Sequence, residues 1–296
     1  MSEAVATSEP AGALFVVATP IGNLDDITRR AVHVLTIADV VACEDTRRTG
    51  RLLQSLGIPR RRLVRVDAHT EGGRIDEVIG SLEAGERVAL VSDAGTPGVS
   101  DPGARLMAAV VERGHRVVPI PGPSAALAAL VASGLPTDRF MVEGFLPRKG
   151  GERSRRLDVL AAADHTSIVY ESPQRLAATL EELSSCLGAD RPVSVARELT
   201  KLHETITTGP VGELAAVFAD GTRGEVVIVI GPRAAPQDAT DADLVDALTD
   251  AAASGDTRSD AVARIVEESG AKKRRVYDLA LTISWPDRGS DQPRSS

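Results

Sequence analysis

Short apolar runs alternate with amphipathic stretches through residues 14–122. The run 14–18 (Leu-Phe-Val-Val-Ala) reads as a buried strand, as do 40–42, 63–66, 88–91 and 117–120. Between the first two, Ile27, Ala31, Val34, Leu35 and Ala38 recur at helical spacing, and Asp26 is expected to cap that helix. Such alternation predicts a mostly parallel sheet covered by helices. From 122 the pattern changes. Ser124 suits the N-cap of an Ala-rich helix that stops before Gly134 and Pro136. Apolar runs follow at 140–144, 167–170, 193–196, 204–208 and 226–230, several joined by short turns, which predicts a mixed sheet. Leu176, Leu180, Leu183 and Leu187 form one stripe of a helix within 172–188, with Pro173 at its first position. Three further helical segments are expected at 241–253, 259–269 and 272–284.

The organisation expected is therefore an α/β domain at 13–121, a second α/β domain at 122–233, a linker at 234–240 and a helix-turn-helix-like domain at 241–284. Residues 1–12 and 285–296 are polar flanks expected to be disordered.

Net charge is −8, so any nucleic-acid contact must come from local basic clusters. Four Phe, one Trp and two Tyr are too few for a base-stacking sheet. Two cysteines, Cys43 and Cys186, exclude a disulfide scaffold and a cysteine-based zinc cluster, and no metal is expected. Residues 1–12 lack the basic-then-apolar order of a signal peptide, and no apolar run approaches the roughly 20 residues of a membrane helix. A soluble, cytoplasmic protein with no membrane contact is the expectation.

Candidate chemistry concentrates in loops. Residues 92–103 (Ser-Asp-Ala-Gly-Thr-Pro-Gly-Val-Ser-Asp-Pro-Gly) follow one predicted strand and precede a helix, which puts them at the carboxyl edge of the sheet where α/β proteins bind ligands. The glycines allow close backbone approach, and Asp93 and Asp101 can accept from ribose hydroxyls or an amine. The loop is neither a P-loop nor a Gly-x-Gly-x-x-Gly fingerprint. Loops 19–23 and 121–124 follow two other strands and share that edge, making a floor for an extended ligand. At the end of another strand stand Glu44, Asp45, Arg47 and Arg48. Asp45 either caps the next helix or joins a polar wall that positions a hydroxyl.

Two clusters are basic. Arg148, Lys149, Arg153, Arg155 and Arg156 surround two glycines, and read either as a solvated helix start or as a contact to RNA phosphates. Lys272, Lys273, Arg274 and Arg275 open the final helix, where cations oppose the helix dipole, so a ligand of phosphates or base edges is favoured.

Six motifs stand in a distinctive order: 18–24 (Ala-Thr-Pro-Ile-Gly-Asn-Leu), 44–47 (Glu-Asp-Thr-Arg), 92–103, 121–123 (Pro-Gly-Pro), 170–173 (Tyr-Glu-Ser-Pro) and 196–201 (Ala-Arg-Glu-Leu-Thr-Lys). Together they closely resemble the ribosomal RNA small subunit methyltransferase I family, within the tetrapyrrole-methylase fold group, over residues 14–231. The resemblance implies a two-domain α/β fold with a helical extension and S-adenosylmethionine in the cleft between the domains. It implies a 2′-O-methylated cytidine in the decoding region of 16S rRNA as product, the 30S particle as partner, and a homodimer. Cofactor contacts carry over to Ala94, Gly95, Thr96 and Val99, to Ser124 and Ala125, and to Glu171 and Leu199, with Pro20 and Asp93 beside them. Glu44, Asp45, Arg47, His69 and Lys201 are the catalytic candidates. Gln174 and Asp67 stand where the family is expected to carry His, and Thr70 where it carries Asn, leaving His69 and Glu71 from that motif. Two other readings stay open. A methyltransferase for a small tetrapyrrole-like substrate leaves the basic clusters without a role, and a helix-turn-helix regulator leaves the 44–48 wall without one.

Overall fold

The computed structural model describes residues 9–67, 71–234 and 239–285. Five strands, β1 (Ala13–Val17), β2 (Val40–Cys43), β3 (Arg62–Arg65), β4 (Val88–Val91) and β5 (Arg116–Ile120), form an all-parallel sheet in the order β3-β2-β4-β1-β5. Helices α1 (Arg29–Ile37) and α2 (Thr46–Ser55) cover one face, and α3 (Glu71–Glu83) and α4 (Ala104–Glu112) cover the other. Every residue of β1, β2 and β4 is buried, which is why these strands read as unbroken apolar runs.

A second sheet holds β6 (Phe140–Phe145), β7 (Thr166–Glu171), β8 (Pro192–Arg197), β9 (Thr205–Pro210) and β10 (Val226–Ile230) in the order β6-β7-β10-β8-β9. Only β6 and β7 run parallel; the other pairs are antiparallel, giving the mixed sheet expected. Helix α5 (Ala125–Ala132) packs on one face. Helices α6 (Gly151–Ala162), α7 (Leu176–Leu187) and α8 (Val211–Val217) pack on the other. Both sheets belong to one compact unit ending at Arg233.

The unit that begins at Ala234 contains α9 (Asp241–Ala253), α10 (Arg258–Ser269) and α11 (Lys273–Ala280) around Leu244, Leu248, Val262, Ile265 and Val276. Thr240 and Asp243 cap α9 reciprocally, and Gly270, at φ 65°, ends α10.

Several local expectations change. Asp26 does not cap α1. It lies in a 3₁₀ turn whose Asp25 amide donates to the Asn23 side chain, and Thr28 Oγ1 accepts from Ala31 N at 3.1 Å instead. Helix α7 begins at Leu176, three residues beyond Pro173, because Ser172 N is tied to the Glu171 carboxylate at 2.7 Å. Residues 9–12 are anchored. Glu9 is buried against Arg30 at 2.9 Å, and Gly12 N donates to Gly85 O. Trp285 Nε1 likewise donates to Ala280 O at 2.9 Å. The rest of both flanks, and most of the expected linker, lies outside the described residues.

Candidate active site

Because β4, β1 and β5 are neighbours, the loops that follow them meet at one sheet edge. Thr19 and Gly95 exchange backbone hydrogen bonds of 2.9 and 3.0 Å, and Thr96 Oγ1 donates to Pro123 O at 3.4 Å. Gly95 has φ +78°, a conformation that L side chains rarely adopt, and Ser100 has φ 64° although it carries a side chain. Ser100 sits under a glycine: a Cβ on Gly144, at the β6 bulge, would come within 2.8 Å of Ser100 Oγ.

These loops roof a cavity of about 370 Å³ whose other wall is the second sheet. Ala94, Gly95, Thr96 and Val99 line it from one loop, Ser124 and Ala125 from the start of α5, and Glu171 and Leu199 from the ends of β7 and β8. The structure thus brings together eight of the ten residues expected at the cofactor. Pro20 and Asp93 instead line a smaller neighbouring cavity of about 160 Å³. Asp93 Oδ2 lies 3.2 Å from Arg48 there, while Asp93 Oδ1 is buried without a hydrogen-bond partner.

The lining holds residues that sequence reasoning left out of the set: Ile21, Asp101, Phe145, Tyr170 and 224–227. The last group has a topological cause. β10 runs antiparallel to both neighbours, so Val226 pairs with Glu171 and Arg197 and its beginning meets their ends. A rule that looks only at the carboxyl ends of strands does not find it. Phe145 and Tyr170 stand with ring centroids 5.5 Å apart and planes tilted by 46°, and supply an aromatic wall.

Acidic groups dominate the electrostatics. Burial pushes the Asp101 carboxyl up to about 6, and the charges of Glu44 and Asp93 add to the shift, while a hydrogen bond with Ser92 opposes it. Glu44 is raised by burial and then by Asp93. Tyr170, which lines the same cavity as Asp101, is raised by burial and then by the Asp101 charge. Asp45 is lowered, chiefly by the Arg47 amide: its carboxylate accepts from Arg47 N and Arg48 N at 2.8 and 3.4 Å, so it is the N-cap of α2. Arg47 extends to the same carboxylate at 3.5 Å and is exposed.

Two expected site residues are engaged by the protein itself. Lys201, a catalytic candidate, is held by two carboxylates. Its ammonium donates to Glu198 and Glu225 at 2.8 and 2.9 Å, and these bonds outweigh its partial burial and raise its pKa. The Glu171 carboxylate is held inside the protein, accepting from Arg175 Nε at 2.7 Å and Thr179 Oγ1 at 2.8 Å as well as Ser172 N. It shapes the wall without a free oxygen for a ligand. His69 lies outside the described residues, as does the Glu71 side chain.

Residues 13–215 match the family model of Tetrapyrrole (Corrin/Porphyrin) Methylases. The chain belongs to this family. Its similarity to "Ribosomal RNA small subunit methyltransferase I" proteins is greater still in extent. It is 46% identical to that of Synechocystis sp., covering 92% of this chain and 98% of the relative, and 48% identical to that of Mesorhizobium japonicum, covering 92% of each. Among solved structures, cobalt precorrin-4 methyltransferase shares the fold with a TM-score of 0.57 at 22% identity, over 76% of this chain and 98% of its own. Uroporphyrin-III-C-methyltransferase from Thermus thermophilus gives 0.53 at 23%, over 74% and 94%.

Tetrapyrrole methylase-family enzymes use S-adenosylmethionine as methyl donor. The cavity of this family member fits it. Leu199, Val227 and Tyr170 offer apolar faces to a nucleobase, the positive end of α5 at Ser124 and Ala125 suits a carboxylate, and Asp101 and Glu225 suit cationic groups.

Proposed function

We propose that this protein transfers the methyl group of S-adenosylmethionine to the 2′-hydroxyl of a cytidine ribose in the decoding region of 16S rRNA, acting on the 30S particle. One observation carries the substrate assignment. The solved tetrapyrrole methyltransferases are covered over 94–98% of their own chains yet reach only 74–76% of this one, and the tetrapyrrole-methylase family match ends at residue 215, before the C-terminal helices. The rRNA methyltransferases cover 92% of this chain.

The sulfonium donor supplies a methyl carbon attached to a good leaving group. The protein must align the ribose hydroxyl with it, exclude water and take up the proton. Asp101 is the acceptor that the geometry favours: it faces the cavity, and its proton affinity lies near neutrality instead of far below it. Burial keeps that affinity high, and the charge of Glu44 adds to it.

RNA phosphates are met by exposed cations. Arg148 and Lys149 precede α6, Arg155 projects from it, and Lys272, Lys273 and Arg274 open α11. Arg156, 2.8 Å from Glu143, and Arg275, 2.8 Å from Asp241, are half neutralised. Arg153 is withdrawn from the RNA set, because its guanidinium is buried on Glu182, Thr179 and Pro147 O. A ribosomal substrate makes the protein cytoplasmic, and no described helix is long and apolar enough to cross a membrane. A two-fold dimer belongs to the same reading; a monomer mass by light scattering at micromolar concentration contradicts it.

Transfer of labelled methyl groups to 30S particles, followed by nucleotide mapping, tests the assignment. Label on a single cytidine ribose of 16S rRNA supports it. Label on a tetrapyrrole macrocycle, with none on the particle, overturns it.

A further inference from the structure

A second groove, of about 960 Å³, lies away from the cofactor cavity, between one face of α2 and the β3 edge of the first sheet. Thr46, Gly50 and Gln54 form its helical wall, and Leu53, Ile58 and Leu63 its apolar floor. Three consecutive arginines, Arg60, Arg61 and Arg62, close the far end. We propose that this groove is a contact surface for the phosphodiester backbone of the RNA, leading the strand toward the cavity. The inference rests on the rRNA reading above and adds a surface to it.

Charge and hydrogen bonding both point to an anion. Arg62 is matched by Glu77 at 3.0 Å and Glu86 at 3.6 Å. Among the described residues, Arg60 and Arg61 have no acid within ion-pair distance. Arg60 is exposed, and Arg61 donates through one terminal nitrogen to Thr36 O while its Nε is buried with no hydrogen-bond partner. A guanidinium without an acidic partner is a ready charge-assisted donor to a phosphate oxygen. The apolar floor suits the face of a ribose or base more than a second charged surface.

Position supplies the remaining argument. The groove's inner end is Thr46, two residues from Glu44, whose charge acts on Asp101 in the cavity wall. α2 spans ten residues, about 15 Å, so a strand lying along it crosses from the arginines to the strand-end wall. In a chain of net charge −8, a run of cations on this path is a local reversal of sign.

Two variants test the groove: Arg60→Gln with Arg61→Gln, and Arg60→Glu alone, which alters only an exposed side chain. Binding to 30S particles is measured across a salt series, with calorimetry of S-adenosylmethionine and thermal melting as controls. Loss of two phosphate contacts should lower the log–log salt slope by roughly 1.4 and weaken binding about tenfold or more at low salt. Arg60→Glu should weaken binding at unchanged melting temperature and cofactor affinity. Variants that match a binding-competent wild type in affinity and slope overturn the groove alone. A wild type that binds no particle overturns the rRNA reading and this inference with it. Inorganic phosphate is the control for a free-anion site: tight phosphate binding that the variants lose, with RNA affinity intact, also overturns the assignment.

Discussion

A Cβ placed on Gly22 would lie 2.5 Å from Lys201 Cγ, 2.8 Å from Thr200 Oγ1 and 3.0 Å from the Leu199 carbonyl oxygen. The loop after β1 therefore rests directly on the loop after β8, with no room for a methyl group. Leu199 also lines the cavity, so pressure here displaces a wall of the site. Gly22→Ala is expected to lower stability by about 1–3 kcal/mol and to weaken S-adenosylmethionine binding several-fold. Chemical denaturation and calorimetry read the two effects, and wild-type values in both would mean that the loops part freely.

Gly95→Val probes the opposite wall. Space for a Cβ exists, since its nearest neighbour would be Ile21 Cγ2 at 3.5 Å, but φ +78° is strained for any branched side chain. Strain of about 1–3 kcal/mol should move the loop out of register with Thr19 and lower cofactor affinity roughly tenfold or more. Calorimetry at wild-type affinity would remove the loop from the cofactor site.

Asp101 carries a pH signature with a definite sign. Its folded pKa, about 6, lies above the ordinary 3.8, so between those values the native state holds a proton that the unfolded chain has released. Stability should therefore fall as pH rises through that window, and methylation should rise as the carboxylate forms near pH 6. Asp101→Asn should flatten both dependences and slow transfer by roughly 10²–10⁴-fold while cofactor binding persists. Weaker binding of S-adenosylmethionine with unchanged binding of S-adenosylhomocysteine would instead make Asp101 the partner of the sulfonium charge.

Arg153 and Arg148 separate architecture from RNA contact within one basic cluster. Arg153→Gln removes bonds to Glu182 at 2.7 Å and to Thr179 and Pro147 O at 2.9 Å each. It should destabilise the protein by about 1–3 kcal/mol and leave the salt slope of particle binding unchanged. Arg148→Gln should do the reverse. Melting curves and the salt series distinguish them.

The limits of sequence reading follow from the same contacts. β1, β2 and β4 were legible because burial on both faces demands unbroken apolar runs. The shared loop edge was legible because parallel strands end together. The inward face of helix α6 was hidden: it holds Leu157 and Leu160, but its third inward position is Arg153, whose charge is answered by residues far along the chain. Asp26 and Thr28 are both competent caps, and only the Asn23 side chain decides between them by fixing the turn before. Lys201 reads as a free catalytic candidate because Glu225, 24 residues later, reaches it only once β10 lies beside β8.

That central place of β10 also orders the protein's birth. The first sheet is complete in sequence by Ile120, whereas the second waits for a strand that must insert between β7 and β8. During synthesis, the nascent chain can close its first sheet while β7 and β8 still lack the neighbour between them. The wall formed by 224–227 arrives with the same strand. A ribosome stalled before Val226 thus holds a protein whose first sheet can be closed while its cavity still lacks the wall formed by 224–227.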